Sequence, residues 1–174
     1  YYDLIYVGRL VRQKRVINLL RAVLKIKKKK TDIKLAILGD GDERVFLERF
    51  INRNNLQKNV FFLGAQDDVA NFLNKSRVFV FYTKYGGEGF PLAILEAMAL
   101  GIPVLTFRFA GVEEVIKEGE NGFIFNTTED FVNMVIWLLK NLNIRKRISK
   151  KAKLQVKRYH SLQNINGYLM ALKL

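Results

Sequence analysis

The 174-residue sequence contains no cysteine, only two prolines and a single histidine. Without cysteine there is no thiol nucleophile, no thiolate zinc site and no disulfide scaffold, which also fits a reducing compartment. A chain of this length buries roughly 70% of the surface that its unfolded form exposes, so one hydrophobic core can stabilise it without such crosslinks. We therefore interpret residues 1–174 as a single domain.

Long apolar runs are also missing, and acidic residues are scarce. The longest apolar stretches, such as residues 97–105, are far shorter than the roughly 20 residues that span a bilayer. Thirty lysines and arginines against sixteen aspartates and glutamates give a net charge of +14. Such a field attracts nucleotides, polyanions and acidic membrane surfaces. We expect a cytoplasmic protein, either soluble or peripheral at the inner face of the membrane.

Apolar runs bounded by glycine or aspartate alternate with helical patterns along the first part of the chain. Continuous runs rich in β-branched and aromatic residues are typical of strands buried on both faces of a parallel sheet. Between them, Val16, Leu19, Leu20 and Val23 have the spacing of one helical face. This alternation predicts an α/β domain, a Rossmann-like parallel sheet of about six strands with helices on both faces. The predicted strands are residues 4–7, 34–38, 60–63, 78–82, 104–107 and 122–125.

The strand patterns stop at about residue 126. We divide the chain there into an α/β core, residues 1–126, and closing C-terminal helices, residues 127–174. The sequence predicts three such helices, over residues 128–141, 144–159 and 161–174. Thr127 or Thr128 is expected to cap the first of them, because Glu129 and Asp130 follow in its first turn.

The segment richest in chemical signals is residues 85–99. In open parallel sheets ligands bind beyond the carboxyl ends of the strands, and this segment follows one. Its three glycines let the backbone approach a ligand closely, and Pro91 is suited to a first helical turn, so a helix should begin near 91 or 92. The free N–H groups of that helix end can bind phosphate. Glu88 on the loop and Glu96 one turn into the helix are acceptors suited to the hydroxyl groups of a ligand.

A second cluster, residues 7–14, directly follows the first predicted strand. Arg9 can bind phosphate oxygens through its planar guanidinium, and Lys14 adds a compact positive charge. Together they would neutralise a diphosphate. The two clusters predict a ligand that carries both phosphates and hydroxyl-rich rings.

Gly8-Arg9 followed by Lys14, and Glu88 and Glu96 with seven residues between them, resemble a known family. They are similar to the donor-binding half of the retaining nucleotide-sugar glycosyltransferases of family 4, which have the two-Rossmann-domain GT-B fold. The resemblance covers about residues 2–125. It implies the C-terminal domain of a metal-independent enzyme that transfers a hexose from a UDP- or GDP-sugar to a glycan or lipid-linked acceptor. Polysaccharide, lipopolysaccharide or capsule biosynthesis is the setting that the family implies.

The resemblance also implies roles for single residues. Arg9 and Lys14 would bind the donor diphosphate, and Glu88 would bind the hydroxyls of the donor sugar; these three are the implied catalytic residues. Glu96 would bind the ribose hydroxyls, and Asp67 is a candidate for the base pocket. Pro91 departs from the family, which commonly has glycine there, and it removes one backbone donor. The other donor-binding positions implied are Gly8, Gly89, Phe90, Pro91 and Leu92; no cofactor and no metal site are expected.

A complete member of that family has a second α/β domain before the first strand seen here, and its catalytic cleft lies between the two domains. Since this sequence holds no such acceptor domain, we expect the chain to bind the donor but to transfer little or nothing by itself. Two other functions stay open. One is a non-catalytic basic docking module that keeps the fold as a scaffold, and the other is a nucleotide-sugar epimerase.

Two basic runs, residues 27–30 and 145–158, have two interpretations. They are solvated helix faces, or they contact an anionic bilayer that carries a lipid-linked acceptor, each cation near the surface adding roughly 1 kcal/mol. We do not expect nucleic acid as a partner, because neither run has the interleaved aromatics of a stacking platform.

The Gly39-Asp40-Gly41 turn is similar to a dinucleotide fingerprint, but Arg44 stands where the third glycine belongs.

Overall fold

A computed structural model describes residues 1–83 and 92–162, with side chains up to Lys157 in the last helix. Across these residues the strands form one sheet in the order β3-β2-β1-β4-β5-β6, and every neighbouring pair is parallel. The predicted parallel sheet is confirmed. The strands are β1 (Tyr2–Val7), β2 (Leu35–Leu38), β3 (Val60–Gly64), β4 (Ser76–Phe81), β5 (Val104–Phe107) and β6 (Gly122–Phe125).

Helices cover both faces of this sheet. Successive side chains of β1 point to opposite faces, so Leu4 and Tyr6 join one buried cluster and Ile5 joins the other. The first cluster packs under the helices that follow β1, β2 and β6, and the second under the helices that follow β3, β4 and β5. Burial on both faces explains why the strands are continuous apolar runs. The helices are α1 (Val16–Lys27), α2 (Arg44–Arg53), α3 (Val69–Asn74), α4 (Leu92–Leu100), α5 (Val112–Val115), α6 (Thr128–Lys140) and α7 (Leu142–Leu162).

Thr127 caps α6. Its hydroxyl accepts a hydrogen bond from the Asp130 N–H at 3.1 Å, and the Asp130 carboxylate accepts one from the Thr127 N–H at 3.0 Å. The prediction of separate helices over 144–159 and 161–174 is wrong at their junction, because α7 continues through Leu162. Neither glycine nor proline occurs between residues 144 and 162, so nothing there breaks the helix. Residues 163–174 lie outside the described part of the chain.

α7 lies across the amino-terminal edge of the sheet. The hydroxyl of Ser149 donates to the Gly101 carbonyl just before β5, and the Gln155 amide donates to the Val115 carbonyl at 2.9 Å, shortly before β6. Lys151 pairs with Glu120 at 3.5 Å in the same region. The carboxyl edge of the sheet therefore lies at the opposite end of the strands. Of the helices within residues 1–83 and 92–162, none has both the length and the apolar composition needed to cross a membrane.

Candidate functional site

The strand order places one crevice at the carboxyl edge of the sheet. The chain runs from β1 outward to β2 and β3, then returns to β4 on the other side of β1. In open α/β sheets ligands bind at this reversal, between the loops that follow the two central strands. The loop after β1 carries Gly8, Arg9 and Lys14. The segment after β4 contains residues 84–91, so Glu88, Gly89, Phe90 and Pro91 lie outside the described residues.

Backbone hydrogen bonds hold the loop after β1 against the loop after β2. The Gly8 N–H donates to the Leu38 carbonyl at 3.0 Å, and the Leu10 N–H donates to the Asp40 carbonyl at 2.8 Å. The contact is close enough that a Cβ atom on Gly39 would overlap the Gly8 carbonyl oxygen, and Gly39 has a φ of +127°. Glycine is therefore required at position 39, and it fixes the distance between the two loops.

Tyr6 supports the same loop from below. Its side chain is fully buried in β1, and its hydroxyl donates to the Arg9 carbonyl at 3.4 Å. Burial raises the pKa of Tyr6 well above its ordinary value, so the hydroxyl keeps its proton at neutral pH and remains a donor. A Cβ on Gly8 would lie only 2.9 Å from this hydroxyl. The backbone that carries Arg9 thus rests on a packed core residue.

The loop after β1 is also fixed to the end of β4. The Lys14 ammonium lies 6.0 Å from the centroid of the Phe81 ring, the last residue of β4. The hydroxyl of Thr83, which is 1% exposed, donates to the Lys14 carbonyl at 3.2 Å. Lys14 is half-buried, while the Arg9 side chain is exposed to solvent. The structure therefore places the predicted basic loop against the end of β4, the strand that precedes the glycine-rich segment.

A helix was predicted to begin near 91 or 92, and the described residues on this side of the gap are helical from Leu92 onward, as α4. Ile94, Ala97 and Met98 are buried against the sheet, whereas Leu92 is 47% exposed at the helix start. Glu96 lies one turn inside α4 and is half-buried. Since α4 follows β4, its amino-terminal end stands at the carboxyl edge of the sheet, the edge at which the loop with Arg9 also lies.

Asp67 lies at the same edge but farther along it. The side chain is exposed in the loop after β3, and β2 stands between β3 and β1. Its neighbour Asp68 caps α3 by accepting a hydrogen bond from the Asn71 N–H at 3.0 Å. Asp67 thus stands two strands from the basic loop, and its part in a base pocket stays a prediction.

Two residues at this edge were not predicted from the sequence. One is Thr83, whose only signal is a polar residue directly after an apolar strand. The other is Arg44, which binds Asp40 at 3.0 Å and Glu48 at 2.9 Å, and whose guanidinium carbon lies 5.7 Å from the Phe62 ring centroid. The spacing of these charges by four residues is a helical signal. Arg44 therefore joins the loop after β2 to the strand before Asp67.

Within the described ranges, no three histidine, aspartate or glutamate side chains are grouped so that they could hold a metal ion. Arg9 and Lys14 are the charged residues of the loop after β1, and Glu96 belongs to α4, the helix that follows β4. Cations at this edge of the sheet suit an anionic ligand.

Thr83→Val is expected to lower the free energy of unfolding by about 1 kcal/mol and to weaken ligand binding two- to fivefold. Valine has the same shape but cannot donate to the Lys14 carbonyl, so a hydrogen bond in a partly buried position is lost. Thr106→Val is the matched control, because Thr106 is fully buried at the next strand and donates to the adjacent Phe107 carbonyl at 3.0 Å. Urea unfolding and nucleotide titration measure both effects. Equal ligand affinity in the two variants would contradict a role for Thr83 in holding the loop.

The sequence and the fold were compared with known proteins. The family model for glycosyl transferases group 1 matches residues 1–155. N-acetyl-alpha-D-glucosaminyl L-malate synthase of Bacillus anthracis is 32% identical over 152 residues, which is 86% of this chain and 39% of that protein. Poly(glycerol-phosphate) alpha-glucosyltransferase of Bacillus subtilis is 26% identical over 98% of this chain and 26% of its own length. The chain thus spans well under half of either relative.

Solved structures share the fold at lower sequence identity. S. aureus TarM, crystallised with UDP among its ligands, superimposes with a TM-score of 0.86 at 23% identity, covering 100% of this chain and 36% of that one. Anabaena HepE in complex with UDP-glucose gives a TM-score of 0.84 at 21% identity, covering 98% of this chain and 49% of that one. These likenesses confirm the Rossmann-like fold of GT-B enzymes. Because the family model matches residues 1–155 of the 174-residue chain, the chain belongs to the group 1 glycosyltransferases.

Proposed function

We propose that this chain is the donor-binding half of a retaining, metal-independent glycosyltransferase. It would bind a nucleoside diphosphate hexose whose sugar passes to a glycan or lipid-linked acceptor. The observation that carries the proposal is the contact across the crevice. The loop with Arg9 and Lys14 is fixed to the end of β4 through Phe81 and Thr83, and α4 is the helix that follows β4 along the chain.

This arrangement suits the departure of a nucleoside diphosphate. When the bond from the sugar to the diphosphate breaks, negative charge grows on the phosphate oxygens. Arg9 can bind two of these oxygens at once, Lys14 adds a point charge, and the start of α4 offers unpaired N–H groups. Because the packed loops hold these groups in place before the reaction, little reorganisation is needed as the charge develops. The same charges would serve where other enzymes use a divalent ion.

The carboxylates complete the proposed donor site. Glu96, one turn inside α4, would accept hydrogen bonds from the ribose hydroxyls, and Glu88 from the sugar. Support for a nucleotide-sugar ligand comes from the solved structures of the same fold, since HepE holds UDP-glucose and TarM holds UDP. The matched relatives are more than twice as long as this chain, which supports a separate acceptor domain in the active enzyme.

Calorimetric titration of the chain tests the proposal. UDP, GDP, UDP-glucose and GDP-mannose are compared with uridine and guanosine, each with EDTA and with Mg²⁺. We expect saturable binding of one diphosphate series, equal with and without the metal, and much weaker binding of its nucleoside. No saturable heat from any diphosphate would overturn the proposal and favour a scaffold module. Chromatography of the incubated nucleotide sugars tests the alternative: conversion of the sugar to its epimer would favour an epimerase instead.

A further inference from the structure

One face of α7 is strongly basic. Residues 142–157 contain seven lysines and arginines and no acidic residue. Ile148, Ala152 and Val156 are buried at intervals of four, so α7 presents the opposite side to solvent. That side, which we call the basic face, consists of the exposed residues Lys146, Arg147, Lys150, Lys151, Lys153, Leu154 and Lys157.

Apolar side chains accompany these cations. Leu154 is 51% exposed and lies within the basic face, one helical turn from Lys150, Lys151 and Lys157. Leu142, at the start of α7, is 53% exposed. Leucines among lysines are typical of helices that lie in the plane of a bilayer interface, where lysine stems pack on apolar surface while their ammonium groups reach phosphate. A linear polyanion in water offers these leucines no apolar contact.

The surroundings of α7 are also basic. α7 lies across the amino-terminal edge of the sheet, where Asp3 is neutralised by Arg77 at 2.8 Å and Asp32 by Lys30 at 2.8 Å. Glu120 pairs with Lys151 of the basic face itself. Repulsion of anions by these carboxylates is therefore weak. Further exposed cations at this edge are Lys28, Lys29, Lys34, Lys75 and Arg77.

We propose that the basic face docks the protein on an anionic lipid bilayer, with α7 parallel to the surface and Leu142 and Leu154 in the headgroup region. This goes beyond the proposed donor site, which lies at the opposite edge of the sheet. Strands of four to six residues separate the two edges by roughly 13 to 20 Å. Docking in this way turns the crevice away from the bilayer. An acceptor would then reach the enzyme as an extended chain rather than at the lipid headgroup.

Vesicle sedimentation with the full chain tests the docking. The vesicles contain phosphatidylcholine alone or with 30 mol% phosphatidylglycerol, at low and at high salt. We expect binding to the anionic vesicles only, and weaker binding as salt screens the charges. The triple variant Lys146→Gln, Lys150→Gln and Lys157→Gln removes three cations of one stripe and should weaken binding about 100-fold, at roughly fivefold per charge. Glutamine keeps the helix propensity of lysine, so the fold should persist.

Matched variants remove an equal number of exposed cations, or an equally exposed apolar side chain, elsewhere on the surface. The control triple variant, Arg21→Gln with Arg49→Gln and Arg53→Gln, removes three exposed cations from α1 and α2. Its binding to the anionic vesicles should stay within about twofold of that of the unmodified chain. Leu154→Ser should weaken binding severalfold, whereas Phe46→Ser, equally exposed at 51% on α2, should not. An equal loss in both triple variants would show attraction by net charge alone and would overturn the proposal. The proposal would also be overturned if α7 bound inorganic polyphosphate while the chain did not bind vesicles. Nucleotide affinity measured in parallel separates this result from the donor site.

Discussion

Arg9→Ala is expected to weaken binding of the nucleoside diphosphate about 30-fold while leaving binding of the corresponding nucleoside nearly unchanged. The exposed Arg9 side chain stands on a loop held by Tyr6 below it and by the loop after β2 beside it. Hydrogen bonds to a charged partner contribute about 2 kcal/mol, which corresponds to this loss. The measurement is calorimetry with diphosphate and nucleoside side by side.

Two controls sharpen this test. Arg21→Ala removes an exposed arginine of α1 that binds Asn18 at 3.2 Å and should not change affinity. Arg9→Lys keeps the charge but loses the two-pronged contact, so it should restore only part of the binding. Equal diphosphate affinity in Arg9→Ala and Arg21→Ala would show that Arg9 does not bind the diphosphate. If the Arg9→Ala variant of the complete protein transferred sugar at an unchanged rate, Arg9 would have no role in catalysis.

Gly39→Ala is expected to lower the free energy of unfolding by about 3 kcal/mol or more and to abolish nucleotide binding. The new Cβ would overlap the Gly8 carbonyl oxygen, which belongs to the backbone and cannot rotate away. The φ of +127° adds strain, because side-chain-bearing residues rarely adopt it. The loop that carries Arg9 must therefore shift away from the loop after β2. Urea unfolding and diphosphate titration measure the two losses.

Gly111→Ala is the matched control for this change. Gly111 also has a positive φ, +83°, but the nearest atom to its added Cβ is the Glu114 carboxylate at 3.9 Å. Its cost should be only that of the left-handed conformation, about 1 to 2 kcal/mol. The difference between the two variants isolates the steric overlap. If both lose stability equally, the close approach of Gly8 and Gly39 does not govern the loop.

The regular elements could be predicted because burial on both sides leaves an unbroken apolar run. β5 and β6 match their predicted bounds, and the helix predicted after the glycine-rich segment is present as α4. α5 was missed, since its four residues are too few for a helical period. The extra helix boundary near 160 was wrong because no glycine or proline supports it. Local sequence is thus informative where a pattern is long or a breaking residue is present.

At the candidate site, local motifs predicted the chemical groups but not their supports. Arg9 and Lys14 follow a strand, and Glu96 follows a helix start, so a general rule for parallel sheets placed them at one edge. Thr83 and Tyr6 were missed as supports. Each acts through one hydroxyl on a carbonyl, and for Thr83 that carbonyl belongs to a residue 69 positions away. A single hydroxyl at such a separation has no sequence pattern.

The sequence by itself determined the α/β layer architecture, the excess of positive charge and a basic loop directly after the first strand. Composition, hydrophobic period and short motifs are local properties of the chain. Only the tertiary structure decided that β1 lies between β2 and β4, with Tyr2 opposite Ser76. It also decided that the basic face of α7 stands at the edge opposite the crevice. Both depend on contacts between distant segments, which form because the sheet must bury both of its faces at once.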